Sequence, residues 1–344
     1  MHRNEGAYMS YSDISIESLS KKYFSEKDIE DKLNNVVLPF LDKYIEEIYI
    51  EGKEDKKIYC EKYVLKNSKA NIVISHGFSE SLEKYHELIY YFLQEGYSVY
   101  AIEHRGHGRS GSLANLQIVD DTQVNVDKFD YYIEDLKKFI DTVVVPESGN
   151  KSKFLFAHSM GGGIGALFLE RHKGYFDAAI LNAPMMQIHT GSYPEFIAKA
   201  IANIVVAFGM GNKYVLGHGP FVIDEKLEES ATSSKNRYKN YHKFLLDNAK
   251  YQRSGASYNW LKNAFEATKE IVENAHKVDI PVMLCQAGRD TFVKSKGQNK
   301  FVENAKNCKI KLYPESKHEM YFEKDTISWP YLEDIFSFYR EYLV

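Results

Sequence analysis

Short apolar runs alternate with segments of helical periodicity from about residue 45 onward. The runs 70–75 and 154–157 are apolar almost without interruption, as in central strands that are covered on both faces. This alternation is typical of a parallel sheet with helices packed on its two faces. We predict strands at 45–50, 57–64, 71–75, 98–103, 153–157, 178–182, 281–286 and 309–313. We predict helices at 81–95, 124–144, 160–172, 294–305 and 326–342.

The stretch from Pro184 to Lys277 interrupts this alternation, because it has helical and loop-like patterns, glycine punctuation and no convincing strand. Strand and helix patterns resume at Val278. An insertion into a continuing sheet fits this order better than a separate C-terminal domain. We therefore predict a core formed by 45–184 and 278–344, a cap at 185–277, and a helical N-terminal extension at 1–44.

The composition is that of a globular protein with a sizeable core. Apolar residues make up 44% of the 344 residues and charged residues 27%, which excludes disordered and collagen-like classes. The 44 basic and 48 acidic residues give a net charge of −4, so no overall basic field favours binding to nucleic acid. The three scattered cysteines, Cys60, Cys285 and Cys308, favour a reducing compartment and argue against a cysteine-built zinc site.

The N-terminal 23 residues contain Glu5, Asp13 and Glu17 and lack the apolar stretch of about 7–15 residues that a secretory signal requires. No apolar window in the chain reaches the length of about 18 residues that is needed to span a membrane. We expect a cytoplasmic protein, with peripheral membrane contact as an open possibility.

A serine lies between an apolar strand and a helix in the segment Phe154-Leu-Phe-Ala-His-Ser159-Met-Gly161. Small residues stand two positions before and after Ser159, the pattern of a nucleophile elbow with Ala157 in place of the first glycine. The tight turn needs small neighbours, and the amide of Met160 at the helix N-terminus can stabilise a developing oxyanion. Serine-rich turns of this kind also occur in doubly wound proteins without such a nucleophile.

The segment Ser75-His76-Gly77-Phe78 follows a predicted central strand. In enzymes with a nucleophile elbow, the loop after an early strand supplies a second amide to the oxyanion hole. We predict that the N–H of Phe78 has this role together with the N–H of Met160. His76 stands at a strand end beside glycine, which favours a structural role over that of a catalytic base.

Glu103, His104 and His107 follow another strand and invite interpretation as a metal site. The sequence offers no third-ligand cluster elsewhere, and the glycines of 103–110 suit a tight turn. We therefore expect no metal and no cofactor.

A nucleophilic serine needs an acid and a histidine, which follow it in the order Ser, Asp, His in this architecture. Asp290 comes just after the predicted strand 281–286, and His318 lies in the loop after the next strand. Both sit beyond carboxyl ends of strands, where the sites of open parallel sheets assemble. Asp279 precedes its strand and is therefore at the wrong end.

Together these motifs resemble the α/β-hydrolase superfamily, and within it the lysophospholipase and monoacylglycerol-lipase group of serine-aminopeptidase-like hydrolases. Glu103 replaces a more usual aspartate, and Ala157 replaces a glycine. The matching segments are 75–80, 103–110, 157–162, 182–185, 288–290 and 317–319.

The resemblance implies an α/β-hydrolase fold, a Ser159 nucleophile, a His318 general base and acid, and an orienting Asp290. It implies a serine carboxylester hydrolase, most specifically a lysophospholipase or monoacylglycerol lipase that forms an acyl-enzyme. A small-ester hydrolase or serine peptidase could use the same triad. A non-catalytic ligand-binding relative is disfavoured, because no member of the triad is missing.

The resemblance also assigns the insertion as a cap over the acyl pocket. An apolar stripe at helical spacing in this cap could line a lipid pocket, dock on a membrane surface, or pack on the core. We predict that it contributes to substrate binding. The stripe consists of Ile197, Ile201, Ile204, Val205 and Phe208.

Overall fold

The computed structural model describes residues 15–111, 120–224 and 226–344. Its eight strands form one sheet in the order β1-β2-β4-β3-β5-β6-β7-β8. The pairs β1–β2 and β2–β4 are antiparallel and all the others are parallel, which confirms the predicted mostly parallel sheet. The strands are β1 (Ile45–Glu51), β2 (Lys57–Tyr63), β3 (Ala70–Ser75), β4 (Tyr97–Ile102), β5 (Lys153–His158), β6 (Ala178–Asn182), β7 (Val282–Ala287) and β8 (Cys308–Tyr313).

Helices of nine or more residues in these described ranges cover both faces of the sheet and fill the stretch between β6 and β7. They are α1 (His86–Gln94), α2 (Asp130–Phe139), α3 (Met160–Arg171), α4 (Glu195–Ala207), α5 (Lys235–Asp247), α6 (Tyr258–Asn274), α7 (Ser295–Asn304) and α8 (Asp325–Arg340).

One predicted helix begins too early. The pattern at 124–144 predicts a helix from Val124, but α2 begins at Asp130. Val124 is extended instead, because its N–H donates to Gly255 O and its carbonyl accepts from the N–H of Ser257. The periodicity of 124–144 predicts the helix correctly from Asp130 onward, but hydrogen bonds to Gly255 and Ser257 hold Val124 in an extended conformation.

The 185–277 stretch contains α4, α5 and α6 and, within its described residues, no strand of the sheet. Helix α5 is fixed to the rest of the chain by Arg237, which is buried and forms a bidentate ion pair with Glu87 of α1. The same guanidinium contacts Asp325 of α8 and the carbonyl of Phe24. One buried cation with several anionic and carbonyl partners therefore joins α5 to α1, to α8 and to Phe24.

Residues 15–41 form short helical turns that pack against α1, α5 and α8. Trp329 of α8 donates to Phe24 O, and Lys22 pairs with Glu333. The turns are Ile16–Leu19, Glu26–Asp28, Ile29–Lys32, Leu33–Val37 and Leu38–Leu41. None of the helices in the described ranges is both long and apolar enough to cross a membrane.

Candidate active site

Ser159 occupies the turn between β5 and α3 with φ 53° and ψ −117°. A positive φ is costly for a residue with a side chain, so the surrounding structure must hold this conformation. The Ser159 N–H donates to Asn182 O at 3.0 Å, and its carbonyl accepts from the N–H groups of Gly163 and Met185. The strained serine is thus held by hydrogen bonds to β6, to α3 and to the segment after β6.

Small residues around the turn let α3 approach the sheet closely. A Cβ on Gly161 would lie 2.2 Å from Ser75 O, and one on Gly165 would lie 2.9 Å from Leu155 Cδ2 and 3.1 Å from Ala157 Cβ. The last contact explains why alanine is accepted in place of the first glycine of the elbow. Ala157 fits because the position facing it on α3 is glycine.

The predicted triad residues lie within hydrogen-bonding distance of one another. His318 Nε2 is 2.8 Å from Ser159 Oγ, and His318 Nδ1 is 2.7 Å from Asp290 Oδ2. The second oxygen of Asp290 accepts from the N–H groups of Phe292 and Val293. Because both oxygens of Asp290 are fixed, the imidazole is held with Nε2 toward the serine.

The charges of His318 and Asp290 stabilise the hydrogen-bonded arrangement of these two residues. Burial alone would lower the pKa of His318, but the Asp290 carboxylate and its hydrogen bond outweigh burial and raise that pKa above its usual value. Burial would raise the pKa of Asp290, but His318 and the backbone N–H donors hold it below its usual value. The arrangement therefore stabilises an imidazolium beside an ionised carboxylate.

Phe78 lies in the loop after β3, as predicted, and Met160 is the first residue of α3. The first amide of a helix has no acceptor within that helix, so the N–H of Met160 is available to a ligand. The Phe78 loop is held on both sides: Gly77 N–H donates to Glu80 at 2.6 Å, and Ser79 N–H donates to His107 Nε2 at 3.2 Å.

A buried charged cluster that the sequence analysis missed supports the same loop. Glu80 accepts from Tyr85 and Tyr321 as well as from Gly77, and Lys84 contacts both Glu80 and Glu319. Although burial opposes it, the two carboxylates raise the pKa of Lys84, so its ammonium stays charged. No local pattern could have revealed this cluster, because Lys84 and Glu319 are 235 positions apart.

Ligand atoms of Glu80, His158 and Glu319 lie within 4.8 Å of one another, which is the spacing of a cation site. The ammonium of Lys84 already lies 3.2 Å from Glu80 and pairs with Glu319, so a lysine supplies the cation there. Burial lowers the pKa of His158 to about 3, which keeps this histidine neutral beside His318.

The histidines after β3 and β4 join the two loops. His76 Nε2 accepts from the N–H of His104, and the ring of His104 contacts Ser75 Oγ at 2.9 Å. Glu103, which replaces the usual aspartate, accepts from the N–H groups of Leu82 and Arg109. These residues therefore connect the loop that carries Phe78 to the loop after β4.

A cavity of about 810 Å³ opens beside Ser159 and His318. Ser159, His318 and Phe78 line it, together with apolar side chains from the core and the 185–277 stretch. The apolar lining includes Met185, Ile188, Phe221, Val222, Leu245, Trp260, Phe292, Val293 and Phe322.

The predicted contribution of the α4 stripe to this cavity is wrong. Ile197, Ile201, Ile204, Val205 and Phe208 are all absent from the cavity lining. Helix α4 instead packs on α6 through its small residues, with Ala202 fully buried and Ala198 partly buried. Periodicity identified an apolar helix but could not tell which of its apolar residues faces inward. As a result Ile201, Ile204 and Phe208 are exposed, the last at 76%.

A strained serine at the carboxyl edge of a mostly parallel sheet, hydrogen-bonded to a histidine that contacts an aspartate, defines a hydrolase with the α/β-hydrolase fold. The family model for serine aminopeptidase, S33, matches residues 66–325, and the chain belongs to this family. Within the superfamily it falls in the lysophospholipase and monoacylglycerol-lipase group.

Named relatives align with most of the chain. It is 31% identical to lysophospholipase L2 of Escherichia coli (strain K12), covering 86% of this chain and 88% of the relative. It is 24% identical to the monoacylglycerol lipase of Mycolicibacterium smegmatis, covering 74% and 82%. A thermostable carboxyl esterase from Bacillus coagulans superposes with a TM-score of 0.70 at 19% identity, covering 88% of this chain and 99% of the esterase.

Proposed function

We propose that the chain is a serine carboxylester hydrolase that cleaves a monoacyl lipid, a lysophospholipid or a monoacylglycerol, through a Ser159–His318–Asp290 triad. The continuous hydrogen-bonded line from Ser159 Oγ to Asp290 Oδ2 through His318, beside a cavity of substrate size, carries this proposal.

In the proposed reaction, Ser159 Oγ attacks the ester carbonyl carbon while His318 Nε2 accepts the hydroxyl proton. The N–H groups of Phe78 and Met160 stabilise the oxyanion of the tetrahedral intermediate. His318 then gives its proton to the leaving alcohol oxygen, and the C–O bond breaks to leave an acyl-Ser159. Water attacks this acyl-enzyme with His318 again as the base, which releases a fatty acid and restores the serine.

The cavity supports a monoacyl lipid as the substrate. Its volume falls within the roughly 300–1,000 Å³ of typical ligand pockets, and its lining combines aromatic and aliphatic side chains with polar and charged ones. Each buried methylene of an acyl chain contributes about 0.8 kcal/mol to binding, so such a lining favours long acyl groups. We therefore assign residues 185–277, which supply much of this lining, as a cap over the acyl pocket. Relatives named for lysophospholipids and monoacylglycerols agree with this substrate class.

We also propose that the cap contacts membranes from outside. Ile201, Ile204 and Phe208 lie on one face of α4 by their spacing and are exposed, as are Leu216 and Ile223 of the same stretch. Exposed apolar side chains of this kind favour the boundary of a lipid bilayer.

The test of the function is hydrolysis of oleoyl esters of glycerol and of glycerophosphocholine, p-nitrophenyl butyrate, and an aminoacyl anilide by wild type and Ser159→Ala. We expect the oleoyl esters to have the highest kcat/KM and the variant to lose at least about 10³-fold on each. Preference for the butyrate or the anilide would support a small-ester hydrolase or a peptidase instead.

A further inference from the structure

Arg253 is a buried cation that, unlike the other buried arginines, forms no ion pair with a carboxylate of the described residues. Arg105 pairs with Asp135 at 2.6 Å, and Arg237 pairs with Glu87 at 2.9 Å. Arg253 is 7% exposed, and among the ion pairs formed by residues 15–111, 120–224 and 226–344 none includes it. Its described hydrogen bonds go only to the carbonyls of Gly106 and Gln252.

The charge of Arg253 is therefore poorly compensated within the described protein. Burial lowers the pKa of its guanidinium, and the more distant carboxylates of Asp121 and Glu103 only partly oppose this. The pKa of Arg237 is raised instead, because Glu87 and Asp325 outweigh its burial. Keeping a cation out of water without a counter-charge is costly, so such a group is suited to an anion that arrives from outside.

Arg253 also lines the cavity that contains Ser159 and His318. The carbonyl that its Nε contacts belongs to Gly106, whose neighbour His107 holds the N–H of Ser79 beside Phe78. Arg253 is thus linked by one loop to the predicted oxyanion amide of Phe78.

The neighbouring wall of the cavity supplies a second donor. Gly255 N–H donates to Gly219 O, so residues 253–256 run beside the 217–219 loop. His218 Nδ1 accepts from the N–H of Ala256 at 3.1 Å, which leaves Nε2 to carry the proton of the neutral ring. Both His218 and Arg253 line the cavity.

From this geometry we infer that Arg253, with His218 beside it, binds the phosphate of a glycerophospholipid head group, so that the enzyme prefers lysophospholipids to monoacylglycerols. This inference rests on the proposed function and decides between its two substrate classes. Because Nε and Nη1 of Arg253 already donate to carbonyls, Nη2 is the nitrogen that can donate to a phosphate oxygen, in a charge-assisted hydrogen bond.

The test compares kcat/KM for 1-oleoyl-lysophosphatidylcholine and 1-oleoylglycerol, which share an acyl chain and differ in the phosphate. Arg253→Gln should lower the ratio of kcat/KM on the lysophospholipid to kcat/KM on 1-oleoylglycerol by about 10–100-fold, the effect of one charge-assisted hydrogen-bonded contact. Arg253→Lys should fall between wild type and Arg253→Gln. Lys250→Gln removes an exposed charge outside the cavity and should leave the ratio of the two values unchanged.

A second measurement needs no variant. Glycerol 3-phosphate should inhibit wild-type hydrolysis of p-nitrophenyl butyrate competitively and at least tenfold more strongly than glycerol. Equal losses on both oleoyl substrates in Arg253→Gln, or equal inhibition by the two small molecules, would overturn the inference and leave Arg253 as a clamp on Gly106. If wild type hydrolyses neither oleoyl ester, the proposed function itself fails.

Discussion

Asp290 uses its two oxygens for different partners, which makes Asp290→Asn a sharp test of the triad. Oδ1 accepts from the N–H groups of Phe292 and Val293, and Oδ2 contacts His318 Nδ1 at 2.7 Å. In the variant the amide oxygen can keep both backbone N–H groups, so the NH₂ must face His318. An NH₂ donor requires Nδ1 to be the acceptor, which puts the imidazole proton on Nε2.

The proton on Nε2 would then point at Ser159 Oγ, 2.8 Å away, and the histidine could not accept the serine proton. A wrong tautomer of this kind costs about 10⁴-fold in kcat, or about 5.5 kcal/mol of transition-state stabilisation, while the fold is retained. Steady-state hydrolysis of p-nitrophenyl butyrate measures kcat, and thermal unfolding checks the fold.

Asp279→Asn is the matched control. Asp279 is exposed, precedes β7, and forms a surface ion pair with Lys173, so this change should alter kcat less than twofold. A folded Asp290→Asn variant with more than a tenth of wild-type kcat would refute the reasoning. A sensitive Asp279 would refute it as well.

Three further outcomes follow from the structure. His318 must be neutral to accept a proton, and Asp290 raises its pKa, so kcat/KM should fall as the pH drops through an apparent pKa above 6.5. The pH–rate profile measures this pKa, and an acidic limb below 6.5 would contradict the expectation. Burial raises the pKa of Glu170 to about 9 from an unfolded value near 4.5, so the folded state binds the extra proton between these values. The free energy of unfolding should therefore fall by up to about 1.4 kcal/mol per pH unit as the pH rises between these values. Urea unfolding at pH 6 and 8 should show a smaller fall for Glu170→Gln than for wild type, and an equal fall in the two proteins would contradict this. The double variant Ile204→Asp/Phe208→Asp should sediment less with phosphatidylglycerol vesicles but hydrolyse soluble p-nitrophenyl butyrate as wild type does. Equal loss of vesicle binding and of hydrolysis would indicate damage to the fold.

The strands and the triad positions could be predicted because they depend on local patterns. A buried parallel strand is a short continuous apolar run, and Ser159 directly follows such a run in β5. Asp290 and His318 lie in the loops that follow β7 and β8. Position relative to the strand then selects Asp290, which follows β7, over Asp279, which precedes it.

What could not be predicted depends on contacts between distant segments. The exposure of Ile204 follows from α4 packing on α6 through Ala202, a choice that apolar periodicity does not encode. The extended Val124 is set by backbone hydrogen bonds to residues 255–257. The ion pair between Lys84 and Glu319 joins two segments that are far apart in the sequence, so no local pattern could predict it.

The most direct measurement of the central claim is covalent labelling of the wild-type chain with a fluorophosphonate, followed by peptide mass spectrometry to locate the adduct. Ser159 Oγ lies against His318 Nε2 in the cavity, so the account predicts one phosphonyl group per chain, on Ser159, and no labelling of Ser159→Ala. An adduct on a different serine, or a folded wild-type chain that takes up no label, would contradict it.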